Sequence, residues 1–161
     1  LELEVEERFG ELRSGSYMDF HSAEHLAAVM TFTFEQAGEP DAEFLPGGER
    51  FADALIRVRA GLHDLLMRPN WASALVVAHE VVNRMVLADV IGAPLGASAG
   101  FEQDTGCINI LDFDLVPAES GEGTRVERGV IKAVNLTPAN YLKNGMNLRS
   151  LEAIFTRPSQ L

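Results

Sequence analysis

Residues 74–95 carry the pattern that decides the fold, ALVVAHEVVNRMVLADVIGAPL. The apolar run 74–78 predicts a short strand that is buried on both faces. His79 ends this run, and the residues after it have the spacing of an amphipathic helix, which Gly92 and Pro94 stop. A side chain at the carboxyl end of a buried strand lies where open α/β sheets bind their ligands. His79 is therefore the first candidate for a functional residue.

The rest of the chain alternates helical and strand patterns. Apolar residues that recur every three or four positions predict helices, and short apolar runs bounded by turn residues predict strands. The further predicted elements are a short strand at 1–5, helices at 19–36 and 49–67, and two strands at 108–113 and 129–134 that form a hairpin. This order predicts a single layered α/β domain over residues 1–161.

The composition excludes several classes of function. The net charge of -11 and the lack of a basic run predict no binding to nucleic acid or to an anionic membrane surface. Cys107 is the only cysteine, so no internal disulfide can form. No apolar run approaches the roughly 20 residues of a membrane span. We therefore expect a cytoplasmic protein.

The other three histidines have plainer interpretations. His21 and His25 lie four residues apart with Glu24 between them, and two imidazoles on one helix face can bind a divalent metal. The stretch lacks the flanking residues of a zinc protease helix and a third ligand, so a solvated or packing role is favoured over a metal site. His63 lies in the middle of the helix predicted at 49–67 and is interpreted as a surface residue.

Four stretches follow one another in the order found in a known family. Residues 75–95 resemble its segment in which an apolar strand ends in a second histidine and a helix follows. Residues 6–12 resemble its turn with an acid before an aromatic-Gly-Glu sequence, and residues 46–51 resemble the Gly-Gly-Glu start of its long helix. Residues 103–113 resemble its late polar turn and strand. The family is the histidine phosphatase superfamily, the phosphoglycerate-mutase-like proteins. The resemblance implies an α/β/α fold with a mostly parallel sheet, in which residues 19–46 form a cap.

The resemblance implies phosphoryl transfer to a histidine. In the family, the nucleophilic histidine belongs to an Arg-His-Gly motif, a second histidine and arginines bind the phosphate, and a carboxylic acid protonates the leaving oxygen. By position, His79 is the second histidine and Glu6 is the proton donor, with Glu7 as the alternative if the register differs by one. The implied partner is a small phosphorylated metabolite, no metal or other cofactor is implied, and hydrolysis is a broader expectation than a mutase reaction.

Two departures from the family bear on this function. Glu80 follows His79 where the family usually has glycine, and its carboxylate would repel a phosphate unless it points away or pairs with a cation. Arg84, four residues later, is spaced to pair with it. The 161 residues contain no Arg-His-Gly, so we expect the family's opening strand, helix and strand to precede Leu1. The alternative is a catalytically silent member that binds a phosphorylated ligand or a protein.

The residues after Leu136 carry few signals. A turn is predicted at 136–141 and a short helix around 148–155, before Pro158. We expect this element to close the domain or to pack against a second subunit, which would make the protein a homodimer.

Overall fold

The computed structural model describes residues 3–15, 22–119 and 123–138. Within these ranges the chain forms three α-helices and one antiparallel β-hairpin. The elements are α1 (Ala23–Glu35), α2 (Phe51–Leu66), α3 (Glu80–Val90), β1 (Ile108–Pro117) and β2 (Thr124–Leu136), with short 3-10 helices at Glu7–Phe9 and Leu95–Gly100. No helix in the described ranges has both the length and the apolar character needed to cross a membrane.

The helices begin and end at residues suited to these positions. Ser22 is the N-cap of α1, and its hydroxyl accepts a 3.1 Å hydrogen bond from the backbone N–H of His25. Gly92 follows α3 with a φ of 66°, a conformation that glycine adopts without steric cost. The N–H of the next residue, Ala93, donates a 3.0 Å bond to the Ala88 carbonyl. The three predicted helices are confirmed, with small shifts at their ends.

The core lies where α1, α2 and α3 meet. Phe51 and Met85 are fully buried in it, and the ring centroid of Phe51 lies 6.3 Å from that of Phe34 and 6.1 Å from that of Phe44. Such tilted and edge-on aromatic pairs add to the stabilisation from burial. The core positions of α2 recur at helical spacing, as its amphipathic sequence pattern predicts. This core fixes the first turn of α3 relative to the rest of the chain.

The segment 8–15 packs along the start of α2. The Glu49 N–H donates a 2.8 Å hydrogen bond to the Arg13 carbonyl. A Cβ atom at Gly15 would lie 1.9 Å from the Pro46 carbonyl oxygen, so only glycine allows this approach of the two backbones. The Gly-Gly-Glu turn therefore packs against the segment that carries Glu11.

The prediction of a buried strand at 74–78 is wrong. Residues 73–79 form neither helix nor strand, and Leu75 and Val77 are 83% and 87% exposed. Among the described residues, no backbone hydrogen bond involves residues 70–78. A strand needs a neighbouring strand to pair with its N–H and C=O groups, and none lies beside this run in the part of the chain described here. His79 is therefore at the end of an unpaired segment.

The predicted hairpin is confirmed and is longer than expected. β1 and β2 pair antiparallel, with Phe113 opposite Gly129. A Cβ atom at Gly129 would lie 2.9 Å from Val90 Cγ1, so glycine at this position lets β2 approach the end of α3. The layered, mostly parallel sheet is not found among the described residues, and neither is the short strand predicted at 1–5, of which residues 3–5 are described. The helix predicted around 148–155 lies outside those residues.

Candidate functional site

His79 is the N-cap residue of α3. Its backbone is extended, with φ -89° and ψ 166°, and its carbonyl accepts a 3.0 Å hydrogen bond from the Asn83 N–H. The imidazole makes no capping hydrogen bond, and the residue is exposed. Unpaired backbone N–H groups and the helix dipole favour negative charge at this end of a helix. The imidazole ring is therefore accessible to solvent at the start of α3.

Glu11 is a half-buried carboxylate whose neighbour Leu12 packs in the same core as the first turn of α3. The Leu12 N–H donates a 2.9 Å hydrogen bond to Glu11 Oε1. Burial raises the pKa of Glu11, while the Leu12 N–H, His79 and the Val81 N–H favour its charged form. The sequence pattern assigns this residue no role, although it lies within the stretch 6–12. Its burial depends on how this segment packs on the core, which local spacing does not reveal.

Glu6, the predicted proton donor, is bound by Arg8. Arg8 Nε and Nη2 donate hydrogen bonds of 2.8 and 2.7 Å to its two carboxylate oxygens. These bonds lower the pKa of Glu6 to about 2. Arg8 also reaches Asp64 on α2 at 2.6 Å. Among the described residues, no hydrogen bond or ion pair joins Glu6 to His79, and Glu7, the alternative, is exposed.

Glu80 forms the ion pair expected from its spacing to Arg84. Arg84 Nη2 lies 2.7 Å from Glu80 Oε1, and the two side chains are only 7% and 9% exposed. The Arg84 guanidinium also lies 4.8 Å from the Phe34 ring centroid and donates a 3.3 Å bond to the Ser98 carbonyl. The carboxylate next to His79 is therefore paired with a cation, which removes most of its repulsion toward an anion.

Arg57 joins α2 to the segment that carries Glu11. Its guanidinium donates bonds of 2.7 and 3.0 Å to the Glu49 carboxylate, 2.6 Å to the Arg8 carbonyl and 2.9 Å to the Gly10 carbonyl. These bonds lower the pKa of Glu49. The backbone partners are more than 40 residues away in sequence, so sequence analysis could not identify this contact.

Comparison with known proteins decides the family. The family model described as "Histidine phosphatase superfamily (branch 1)" matches residues 1–116. The chain belongs to the histidine phosphatase superfamily. No curated protein and no solved structure shows a significant match to it. Membership supports a phosphatase or mutase type of function and an α/β fold class, and it confirms the resemblance to this family.

The sequence also contains three other histidines, and the structure describes two of them. Glu24 and His25 lie in the first turn of α1, whereas His21 lies outside the described residues. Across the residues that are described, no three His, Cys, Asp or Glu side chains are arranged to hold a metal ion. His63 is exposed, and its Nδ1 lies 3.4 Å from Asp64 Oδ1.

A cavity of about 650 Å³ lies between α1 and the turn that follows it, inside the predicted cap of this histidine phosphatase chain. Its walls come from one face of α1 between Ala28 and Thr33, from Gln36 just after the helix, and from residues 41–43, 45 and 46, and most of the lining is apolar. Neither His79 nor Glu11 lines it. The cavity is therefore separate from the candidate site.

Replacement of Arg57 by alanine is expected to lower the free energy of unfolding by about 2–4 kcal/mol, because it leaves a buried carboxylate and backbone carbonyls without their donor. The loss should shrink in acid. Hydrogen bonding lowers the pKa of Glu49 in the folded state. The charged Glu49 therefore stabilises the fold fully at a pH above its pKa in the unfolded chain, and this stabilisation is lost as the pH falls through its pKa in the folded protein. Urea unfolding at pH 7 and pH 4 measures both effects.

Arg59→Ala is the matched control, because Arg59 is on the same helix and pairs with Asp89, but its side chain is exposed. This variant should lower the free energy of unfolding by less than about 1 kcal/mol. An equal decrease in the two variants would contradict the role given to Arg57.

Proposed function

We propose that this protein is a phosphomonoester hydrolase that works through a phosphohistidine intermediate. In this proposal, His79 binds the transferred phosphoryl group and Glu6 donates a proton to the leaving oxygen. The observation that carries it is an exposed imidazole at the N-terminus of α3, in a chain of the histidine phosphatase superfamily. A helix N-terminus and a protonated imidazole both stabilise phosphate oxygens.

The reaction balances in two steps. A nucleophilic imidazole nitrogen attacks phosphorus, the bond to the leaving oxygen breaks, and the acid gives its proton to that oxygen. Water then attacks the phosphohistidine, the P–N bond breaks, inorganic phosphate leaves, and the carboxylate takes the proton from the water. The proposal requires a nucleophilic histidine of the kind that the family carries in an Arg-His-Gly motif, and these 161 residues contain no such motif. His79 supports the negative oxygens in both steps.

The assignment of Glu6 carries a condition. At a pKa of about 2 the carboxylate holds almost no proton at neutral pH, because Arg8 is bound to it. Arg8 must therefore leave Glu6 before Glu6 can act as an acid. Substrate binding supplies a reason for this movement, since a phosphate competes with carboxylates for a guanidinium.

A second candidate is a catalytically silent member of the family that binds a phosphorylated ligand or a protein. The observation that favours it is the presence of two carboxylates, Glu11 and Glu80, around His79, together with the absence of the nucleophile motif from these residues. A mutase-type transfer to a second phosphorylated molecule is a third candidate that uses the same intermediate.

Acid and alkaline stability of a trapped label tests the proposal. Full-length protein is mixed with radiolabelled para-nitrophenyl phosphate, quenched and denatured. We expect a covalent label that is stable in alkali and lost in acid, as a phosphoramidate is, and release of inorganic phosphate. Transfer of the label to an added phosphorylated acceptor instead of water would indicate a mutase. Absence of label and turnover, with binding of orthophosphate retained, would identify the silent member.

A further inference from the structure

We infer that a cavity between α2, α3 and the hairpin is a second ligand site, which binds a neutral planar heterocycle with a lactam edge. A lactam edge carries a ring N–H donor and a carbonyl acceptor. The cavity has a volume of about 230 Å³, and neither His79 nor any residue of the predicted cap lines it. This inference does not depend on the proposed phosphatase activity.

The first support is that the walls of the cavity are held together. One wall is α2 and the second is the carboxyl end of α3, and the ion pair between Arg59 and Asp89 joins these two helices. The hairpin forms the third wall. There, a Cβ atom at Gly129 would lie 2.9 Å from Val90 Cγ1 and 3.3 Å from Phe113 Cε1. This close packing fixes the hairpin against α3, so the cavity is formed before a ligand binds, as in most small-molecule sites.

The second support is an ion pair that leaves one donor and one acceptor unused. Arg59 Nε donates a 2.8 Å hydrogen bond to Asp89 Oδ1, and Arg59 Nη2 donates to the same oxygen. Among the described residues, no hydrogen bond involves Arg59 Nη1 or Asp89 Oδ2. Both residues line the cavity. The pair can therefore donate to the carbonyl of a lactam and accept from its N–H.

The third support is the charge of the lining. Arg59 and Asp89 neutralise each other, so neither an anion nor a cation finds an unpaired counter-charge in this pair. His63, at the rim, is 66% exposed and lies beside Asp64, and it is not part of the proposed contact. A neutral ligand that offers both an acceptor and a donor fits this pair better than a charged one.

The fourth support is the apolar surface and the size of the cavity. The apolar lining comes from all three walls and consists of Leu62, Leu66, Val90, Phe113 and Val126. The Phe113 ring offers a planar ligand a stacked or edge-on contact. At about 230 Å³ the cavity is smaller than the roughly 300–1,000 Å³ of sites for drug-sized ligands. It therefore suits a ligand of one or two fused rings.

The experiment measures the binding of quinolin-2-one, a lactam of two fused rings, to the full-length protein by ligand-observed NMR. The matched ligand control is 1-methylquinolin-2-one, in which a methyl group replaces the N–H donor. We expect saturable binding of quinolin-2-one and about 10–100-fold weaker binding of the methylated compound, the usual cost of losing a hydrogen bond to a charged group. Equal binding of the two compounds, or tighter binding of benzoate or benzylamine, would overturn the inference.

Two variants locate the ligand. Arg59→Lys keeps the positive charge and removes the guanidinium donors, and Val126→Phe fills the cavity with a residue that suits a strand. Each should weaken the binding of quinolin-2-one by about 10-fold or more. Arg68→Lys is the matched control, since Arg68 pairs with Glu4 and does not line the cavity. It should bind like the wild type. Thermal midpoints show that each variant folds, and wild-type affinity in either Arg59→Lys or Val126→Phe would overturn the site.

Competition with orthophosphate separates this site from the proposed function. Asp89 follows His79 by ten residues, which corresponds to about 15 Å along α3. Orthophosphate should therefore not displace quinolin-2-one. Displacement would overturn the separate site. Absence of phosphatase turnover with the lactam still bound would contradict the proposed function alone.

Discussion

Replacement of His79 by alanine in the full-length protein is expected to lower kcat/KM for para-nitrophenyl phosphate by about 10²–10³-fold, the usual cost of removing one donor that stabilises transition-state charge. His79 is the N-cap residue of α3, but its imidazole is exposed and makes no capping hydrogen bond. Removal of the imidazole therefore takes away no packing in the described core. The thermal midpoint should therefore change little. Steady-state kinetics and a thermal melt measure the two effects together.

His63→Ala is the control for His79→Ala, because it removes a second exposed histidine, on α2, whose only described ion-pair contact is with the adjacent Asp64. It should leave kcat/KM at the wild-type value. Unchanged turnover in His79→Ala would contradict the proposed function. Loss of turnover in both variants would show that the assay responds to general damage.

The helices and the hairpin could be predicted because their signals are local. Ser22 caps α1 and Gly92 stops α3, and both act within one helical turn of the residues that they organise. The strand at 74–78 could not be judged in this way. Its two valines have a high strand propensity, but a strand forms only when another strand supplies the hydrogen bonds. The prediction of a strand at 74–78 therefore depended on a partner strand from elsewhere in the chain, which the local sequence does not reveal.

The candidate site could be predicted only in part, for a similar reason. Order and residue type made His79 a candidate and predicted the pairing of Glu80 with Arg84, which is an i, i+4 contact on one helix. They could not identify the partners of Glu6 and Glu11. Whether a carboxylate is bound by an arginine or partly buried beside an imidazole depends on how the segment 6–12 docks on α2 and α3. Resemblance transfers residue types, whereas pKa depends on these contacts.

Replacement of Glu80 by alanine is expected to lower the free energy of unfolding by about 3–5 kcal/mol, because it leaves a buried guanidinium without its counter-charge. Arg84 is 5% exposed and is held against the Phe34 ring, so it cannot reach water without disturbing the packing of α1 on α3. The remaining hydrogen bond to the Ser98 carbonyl does not neutralise the charge. Urea unfolding of the full-length protein at neutral pH measures the loss.

Asp89→Ala is the matched control, since it removes another carboxylate from α3 whose arginine partner, Arg59, is 58% exposed. It should lose less than about 1 kcal/mol. The double variant Glu80→Leu with Arg84→Met removes both charges and should regain most of the stability, because a well-packed apolar pair often matches a buried ion pair. If Glu80→Ala loses no more than Asp89→Ala, the buried pair does not stabilise the start of α3. In that case glutamate beside His79 would need another explanation, and the kinetics of the same variant with para-nitrophenyl phosphate would be the place to look for it.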